Sequence, residues 1–147
     1  MTPLRSADDL SPGMSFDLGG FVLARAEVLE FARRYDPQPF HLDEEAARSS
    51  VFGRLVASGL HTYSASLGHL IRSGLLSEIN LAGGGAQLTW PAPLDPDEPV
   101  TMKLVVQDIR TSRSKPGMAV AGLRYVVATV RDGTVVLDAV GTHFLKR

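Results

Sequence analysis

One change in hydrophobic periodicity, close to Gly85, limits the folds open to this chain more than any other feature. Before it, the stretches 26–35 and 58–73 carry apolar residues at the spacing of amphipathic helices. After it, the stretch 100–107 alternates with a period of two, as a strand with one buried face does. This order predicts an α+β fold in which helices precede an antiparallel sheet.

Two further β-rich runs, 119–130 and 135–145, are joined by Arg131-Asp132-Gly133-Thr134. The Asp-Gly pair between such runs favours a tight hairpin. We also expect a short strand at 14–18, and a bend or bulge at Gly83-Gly84-Gly85 where the chain enters the sheet. Periodicity therefore predicts an antiparallel meander, without fixing its strand order.

The stretch 58–73 is the strongest helix candidate in the chain. Ser58 is a good N-cap residue, and Gly74 can end the helix in the left-handed conformation. The larger apolar residues recur at helical spacing (Leu60, Leu67, Leu70, Ile71), and several other residues are small (Ser64, Ala65, Ser66, Gly68). Small side chains allow a helix to approach its neighbours closely, so we expect this helix to be enclosed by other structure.

Composition excludes several classes of function. Lys plus Arg number 15 against 16 Asp plus Glu, a formal net charge of −1, so the chain lacks the basic footprint of nucleic-acid or anionic-membrane binding. There is no cysteine, which removes thiol nucleophiles and disulfides and fits a reducing cytoplasm. No apolar run approaches the ~20 residues of a membrane span, and residues 1–10 lack the order of a signal peptide. We expect a cytoplasmic protein with one domain, 1–147, whose residues 1–13 form a loose N-terminal arm.

A carboxylate and an imidazole stand five positions apart in Asp36-Pro37-Gln38-Pro39-Phe40-His41. Each proline fixes its own φ and moves the residue before it out of the helical region. A helix should therefore stop at Asp36, and a rigid extended elbow should lead to His41. Such an elbow can hold two titratable groups around one water molecule, as general acid–base catalysis requires. The alternative is an ordinary helix-ending turn with a surface Asp and a half-buried His.

Two blocks of this sequence resemble the MaoC-like proteins. The stretch 31–47, Phe-Ala-Arg-Arg-Tyr-Asp-Pro-Gln-Pro-Phe-His-Leu-Asp-Glu-Glu-Ala-Ala, is similar to their hydratase motif. The stretch 52–60, Phe-Gly-Arg-Leu-Val-Ala-Ser-Gly-Leu, follows at the spacing that family shows. The family comprises (R)-specific enoyl-CoA hydratases and dehydratases. The resemblance implies a single hotdog fold, an antiparallel curved sheet wrapped around one central helix, which would be 58–73.

The same resemblance implies a reaction and a set of site residues. Asp36 and His41 would be catalytic, orienting and deprotonating a water that adds to a trans-2-enoyl-CoA and yields a (3R)-3-hydroxyacyl-CoA. The backbone N–H of Gly59, next to Ser58, would stabilise the thioester oxygen as negative charge develops on it. An ordinary helix cap is the alternative for this pair. No metal and no redox cofactor is implied, and coenzyme A arrives as part of the substrate.

Two positions leave the role of the residue open. Gln38 stands where the family more often has Asn, and it is either a substrate contact or a loop residue bonded to its own backbone. Arg113 lies in the cationic stretch 110–117 between two strands. This stretch either contacts the phosphates of coenzyme A or is a solvated hairpin connection.

The remaining histidines and large aromatic residues are expected to be structural. His61, His69 and His143 show no metal-ligand spacing, which favours a structural or solvated role, although His61 could line the pocket. Trp90 and Phe40 are interpreted as core or interface residues.

The resemblance also implies a homodimer, or a dimer of dimers, because the edge of the sheet and the half-covered helix need a partner. Two other functions stay open. A hotdog thioesterase would hydrolyse the acyl thioester in the same pocket. A non-catalytic hotdog protein would be a structural subunit or a ligand-binding module.

Overall fold

A computed structural model describes all residues from Met1 to Arg147. Five antiparallel strands form one sheet in the order β1-β3-β4-β5-β2. The strands are β1 (Ser15–Phe21), β2 (Asn80–Thr89), β3 (Val100–Thr111), β4 (Met118–Thr129) and β5 (Val135–Lys146). The prediction of an antiparallel sheet in the second half is confirmed. β1 and β2 are longer than the sequence patterns suggest, because exposed edge strands carry a weaker alternation of apolar residues.

Four α-helices and one short 3₁₀ helix accompany the sheet. They are α1 (Arg25–Tyr35), α2 (Pro39–Leu42), α3 (Glu44–Arg48), α4 (Gly59–Arg72) and the 3₁₀ helix Ala7–Asp9. Asp43 caps α3 as its side chain accepts a hydrogen bond from Ala46 N at 2.8 Å. Gly74 follows α4 with φ 78°, the left-handed conformation predicted for it. No helix is both long and apolar enough to cross a membrane.

Helix α4 lies against the concave sheet through small side chains. Thr62, Ser66 and Leu70 are its buried residues, and Ser66 Oγ donates to Thr62 O at 2.7 Å. The sheet contributes the largest part of the core, including fully buried Tyr125 and Leu123. A curved sheet wrapped around one helix is the hotdog fold, so the predicted fold class is confirmed.

The apolar stripe predicted for α4 is not the face that meets the sheet. Leu60 is 44% exposed and Ile71 46% exposed, and only Leu70 of the predicted set is fully buried. The physical reason is distance, since Thr62 and Ser66 let the helix backbone approach the sheet more closely than leucine would. Leu60 and Ile71 are left on the outer face.

The predicted hairpin between β4 and β5 and the predicted bulge in β2 are both confirmed. The β4–β5 hairpin turns at Asp132-Gly133, where Gly133 has φ 73° and Thr129 Oγ1 donates to Asp132 Oδ1 at 2.6 Å. The pairing of β2 with β5 shifts register between Gly83 and Gly85, as a β-bulge does.

The expectation of a loose N-terminal arm over residues 1–13 is wrong for its central part. Ser6 and Asp9 form a capping box around the 3₁₀ helix. Ala7 and Leu10 are buried in the main core, and Leu4 N donates to Leu75 O at 2.9 Å. The prolines and polar residues of this segment suggest a loop, but Leu4, Ala7 and Leu10 pack in the core or against it.

Candidate active site

The proline-rich elbow places Asp36 and His41 side by side. Asp36 ends α1 with φ −151° and ψ 67°, and Gln38 is extended with ψ 140°. The predicted extended path to His41 is wrong beyond that point, because Pro39 opens the one-turn helix α2. Proline suits the first position of a helix, where its missing N–H would have no partner. The turn brings His41 back towards Asp36.

Both carboxylate oxygens of Asp36 accept hydrogen bonds from neighbouring side chains. Oδ2 accepts from Ser58 Oγ at 2.7 Å, and Oδ1 accepts from the Gln38 amide at 2.9 Å. His41 Nε2 lies 3.3 Å from the same Oδ2. The site is therefore a connected cluster of four side chains. Asp36, Gln38 and His41 belong to the proline-rich segment, and Ser58 lies at the start of α4.

A backbone carbonyl decides the tautomer of His41. His41 Nδ1 lies 2.7 Å from Val56 O, and a carbonyl oxygen can only accept, so Nδ1 carries a hydrogen. In the neutral imidazole, Nε2 then has a free lone pair directed at Asp36. A lone pair and a carboxylate oxygen repel each other unless a hydrogen lies between them. Either a proton shared by Nε2 and Oδ2, or a water that donates to Nε2, makes their approach favourable. His41 is buried, so few other groups can compete for that lone pair.

Asp36 is held in its ionised form. Burial acts to raise the pKa of Asp36, but the hydrogen bonds from Ser58 and Gln38 and the nearby His41 outweigh it, and the net shift is downward. Asp36 is therefore a carboxylate at neutral pH. If it receives a proton during a reaction, the lowered pKa favours release of that proton.

The first turn of α4 offers backbone donors next to this cluster. Ser58 occupies the N-cap position, but its hydroxyl makes no cap hydrogen bond and turns to Asp36 instead. Ser58 O accepts from His61 N and Thr62 N, whereas the N–H groups of Gly59 and Leu60 have no backbone or side-chain partner in the chain. Unpaired donors at the positive end of a 14-residue helix stabilise a negative oxygen.

A pocket of about 630 Å³ opens in front of these groups. Asp36, His41, Ser58 and Gly59 line one side of it. The rest of the wall is mostly apolar and comes from Phe40, Phe52, Val56, Ala57, Leu60, Trp90, Pro91–Leu94 and Val136. The pocket thus joins a compact polar cluster to an apolar lining, the usual composition of a small-molecule site.

Trp90 and Phe40 belong to this pocket and not to the core. Trp90 is 43% exposed, and its Nε1 donates to Gly59 O at 2.9 Å. Sequence reasoning missed this contact because the two residues lie 31 positions apart, one just after an edge strand and the other at the start of a helix. The aromatic residue at the end of a strand, followed by Pro91-Ala92-Pro93, was the available signal.

Gln38 and Arg113 differ in how the structure places them. The amide of exposed Gln38 donates to the Asp36 side chain and not to its own backbone. Arg113 is exposed in the turn between β3 and β4. That turn lies at the far end of β3, which spans roughly 35 Å at ~3.3 Å per residue, so one chain does not bring Arg113 to the site.

The other histidines lie outside the pocket. His61 lines a separate cavity of about 570 Å³ between α1 and α4, where its ring stacks on Phe31 at 4.6 Å. His69 Nε2 lies 2.8 Å from Leu18 O, and buried His143 contacts Tyr125 and Asn80. The structural role predicted for His69 and His143 is confirmed.

Comparison with known proteins identifies relatives that match most of the chain. The family profile described as "MaoC like domain" matches residues 9–127. The MaoC-like dehydratase of Rhodospirillum rubrum is 38% identical, with 97% of each chain covered and a TM-score of 0.88.

Two more distant structures show the same fold. The R-hydratase PhaJ1 of Pseudomonas aeruginosa is 19% identical with a TM-score of 0.69, and covers 97% of this chain and 84% of its own. A chain of the HadBC (3R-hydroxyacyl-ACP dehydratase) complex of Mycobacterium tuberculosis is 19% identical with a TM-score of 0.75, and the match covers 96% of this chain and 99% of that one. This protein is a hotdog-fold member of the MaoC-like family.

Proposed function

We propose that this protein catalyses the reversible hydration of a trans-2-enoyl-CoA to a (3R)-3-hydroxyacyl-CoA. The observation that carries the proposal is the approach of His41 Nε2 and Asp36 Oδ2 to 3.3 Å, on the wall of an apolar pocket and beside unpaired backbone donors. Membership of a family that contains hydratases and dehydratases supports the reaction class.

The proton path follows from the tautomer of His41. Because Nδ1 donates to Val56 O, the lone pair of Nε2 accepts a proton from water, and the oxygen of that water bonds to the β-carbon of the enoyl group. The π electrons move towards the thioester carbonyl. The proton then passes to the α-carbon through Asp36 Oδ2, whose low pKa makes it a ready donor. One water adds in total, and the pair returns to its initial protonation state.

The start of α4 stabilises the enolate-like oxygen. The N–H groups of Gly59 and Leu60 are free, and the positive end of the helix dipole favours charge that develops there. These donors strengthen as negative charge grows, so they lower the barrier more than they tighten substrate binding. The chemistry requires no metal or redox cofactor, and coenzyme A is part of the substrate.

The first experiment is a spectroscopic assay with crotonyl-CoA. Hydration removes the absorbance of the conjugated thioester without releasing a thiol, which a thiol reagent monitors in parallel. Asp36→Asn and His41→Ala should each lower kcat by roughly 10²–10⁴, the usual contribution of general acid–base catalysis, with the folded structure retained. Turnover at the wild-type rate in either variant would contradict the proposal.

The same assay separates the two alternative functions. A thioesterase would release free CoA–SH from crotonyl-CoA, and a non-catalytic subunit would change neither signal. Longer enoyl-CoAs are then the next substrates, since the apolar lining of the pocket suits an acyl chain. Absence of turnover with every chain length would favour the non-catalytic alternative.

A homodimer is part of this proposal. All but one residue of edge strand β2 are exposed, including Leu81 at 56%, and Leu60 and Ile71 are exposed on α4. Unpaired edges and apolar stripes of this kind are commonly covered by a second copy. Antiparallel pairing of two β2 strands about a two-fold axis would bring the partner's Arg113 to the end of the sheet that holds the site. The phosphates of coenzyme A are the contact we assign to it.

A further inference from the structure

Trp90 is the only tryptophan of the chain, and it lines the pocket. It follows β2 directly and precedes Pro91-Ala92-Pro93, whose prolines restrict the backbone. The next residue, Leu94, is buried and its carbonyl accepts from Ala57 N at 2.9 Å. The segment 90–94 is therefore tied at Leu94 to the chain just before α4.

The indole forms a hydrogen bond to the Gly59–Leu60 peptide group, whose N–H is a free backbone donor. Trp90 Nε1 donates to Gly59 O at 2.9 Å. The carbonyl of Gly59 and the N–H of Leu60 belong to one planar peptide group, so a bond to the carbonyl also fixes the direction of that N–H. Tyr63 N, four residues on, is the helical donor to the same carbonyl, and the indole adds a second bond from outside the helix.

The indole also explains why residue 59 is glycine. A Cβ built on Gly59 would lie 2.6 Å from Trp90 Cδ2 and closer still to Cε2 and Nε1. The indole could move aside only by breaking its hydrogen bond to Gly59 O. The backbone of Gly59 is helical and its φ is not in the left-handed region, so alanine would otherwise be the better residue.

We propose that Trp90 is a positioning residue that packs on Gly59 and orients the Gly59–Leu60 peptide as an oxyanion donor. The indole ring occupies the position that a Cβ on Gly59 would take, and Gly59, Leu60 and Trp90 all line the same pocket. The catalytic part of this inference rests on the proposed hydratase function. The packing part does not.

Thermal unfolding of Gly59→Ala, Trp90→Ala and the double variant tests the packing. In the wild-type background, Gly59→Ala should lower Tm, because the new methyl group collides with the indole. In the Trp90→Ala background, the same substitution should leave Tm unchanged or raise it, because alanine favours the helix. An equal loss of Tm in both backgrounds would overturn the proposal.

Kinetics of Trp90→Phe test the orientation of the peptide. Phenylalanine keeps a ring against Gly59 but has no N–H to donate. We expect kcat for crotonyl-CoA to fall about tenfold while KM changes less than threefold, since the donor is worth more in the transition state. Wild-type kcat in Trp90→Phe would overturn the catalytic part. If the wild-type protein turns over no enoyl-CoA, the hydratase proposal fails, and the thermal cycle still decides the packing.

Fluorescence gives a readout that does not depend on turnover. Butyryl-CoA is saturated and cannot be hydrated, and Trp90 is the sole indole fluorophore. A saturable change in Trp90 emission with butyryl-CoA, larger than that with free coenzyme A, is expected if the acyl thioester lies against the indole. Calorimetric binding of butyryl-CoA with unchanged emission would overturn this placement.

Discussion

Ser58 Oγ donates a 2.7 Å hydrogen bond to Asp36 Oδ2, the same carboxylate oxygen that faces His41 Nε2 at 3.3 Å. Because the Ser58 hydroxyl bonds the carboxylate, it does not cap the first N–H groups of α4. One residue therefore links the acid–base pair to the backbone donors. This link ties the geometry of the two parts of the site together.

Ser58→Ala should move the acid limb of the pH profile. The hydrogen bond lowers the pKa of Asp36, so its loss raises that pKa, and activity should disappear at a higher pH as the pH falls. Hydrogen bonds to charged groups contribute about 1.5–3 kcal/mol. We expect kcat/KM for crotonyl-CoA to fall about tenfold at neutral pH.

The matched control is Ser64→Ala, an exposed serine of α4 that lies outside the pocket. Its profile of kcat/KM between pH 4 and 9 should follow that of the wild type. An unshifted acid limb in Ser58→Ala would show that the hydroxyl does not control the ionisation of Asp36.

Gln38→Glu should raise the pKa of Asp36 more than Gln38→Ala does. The amide donates to Asp36 Oδ1 at 2.9 Å, and a glutamate would put a like charge in its place. Alanine only removes the donor. The acid limb of kcat/KM should shift upward in both variants, with the larger shift in Gln38→Glu. The reverse order would mean that the Gln38 amide does not bond Asp36 in solution.

Tyr125→Phe should destabilise the fold through His143. Tyr125 Oη lies 2.7 Å from His143 Nε2, and Asn80 Oδ1 lies 3.1 Å from Nδ1, so the hydroxyl donates to the lone pair of Nε2. Without it a buried nitrogen has no partner, at a cost of about 1–3 kcal/mol. Urea unfolding at pH 7.5 measures the change. Tyr63→Phe is the control, since the Tyr63 hydroxyl has no hydrogen bond in the chain and its ring stacks on Tyr125. An equal loss in the free energy of unfolding in both variants would contradict the assignment.

The same histidine makes stability depend on pH. Burial lowers the pKa of His143 from its ordinary 6.5, so the unfolded chain binds its proton more readily than the folded chain. This contribution is fully present above pH 6.5 and is lost as the pH falls below it. The free energy of unfolding should therefore decrease from pH 7 to pH 5, and less so in His143→Gln, which has no proton to gain.

Asp132→Ala should weaken the β4–β5 hairpin. Hydrogen bonds from the Thr129 and Thr134 side chains and from Thr134 N lower the pKa of Asp132 to about 2. The stabilisation is present above the ordinary pKa of 3.8 and is lost as the pH falls towards 2. Tm at pH 7 should fall, and the difference from wild type should shrink at pH 2. A difference independent of pH would point to the backbone turn instead of the carboxylate.

Leu81→Lys should prevent dimerisation. Leu81 lies on the exposed edge strand β2, where a charge would be buried in the proposed interface. The molecular mass by light scattering should fall from that of a dimer to that of a monomer. Val51→Lys is the control, because Val51 is 96% exposed and lies on neither β2 nor α4. A dimer that survives Leu81→Lys would place the interface elsewhere.

Local patterns predicted the elements that depend on near neighbours. The stop of α1 at Asp36, the Asp43 cap, the Gly74 terminus and the Asp132-Gly133 hairpin all follow from backbone preferences of a few residues. The closeness of Asp36 and His41 was also predicted, since both residues share one short segment. The strand order and the buried face of α4 were not, because both depend on which surfaces meet.

The sequence by itself determined the end of α1 at Asp36, the short segment that carries both Asp36 and His41, the order of helices before strands, and the family resemblance. Only the tertiary structure decided that Ser58 bonds Asp36, that Val56 O fixes the tautomer of His41, and that Trp90 packs on Gly59. The physical reason is the reach of each interaction. Torsional preferences act between adjacent residues, whereas hydrogen bonds and packing join atoms that the fold brings together from 15 to 31 positions apart.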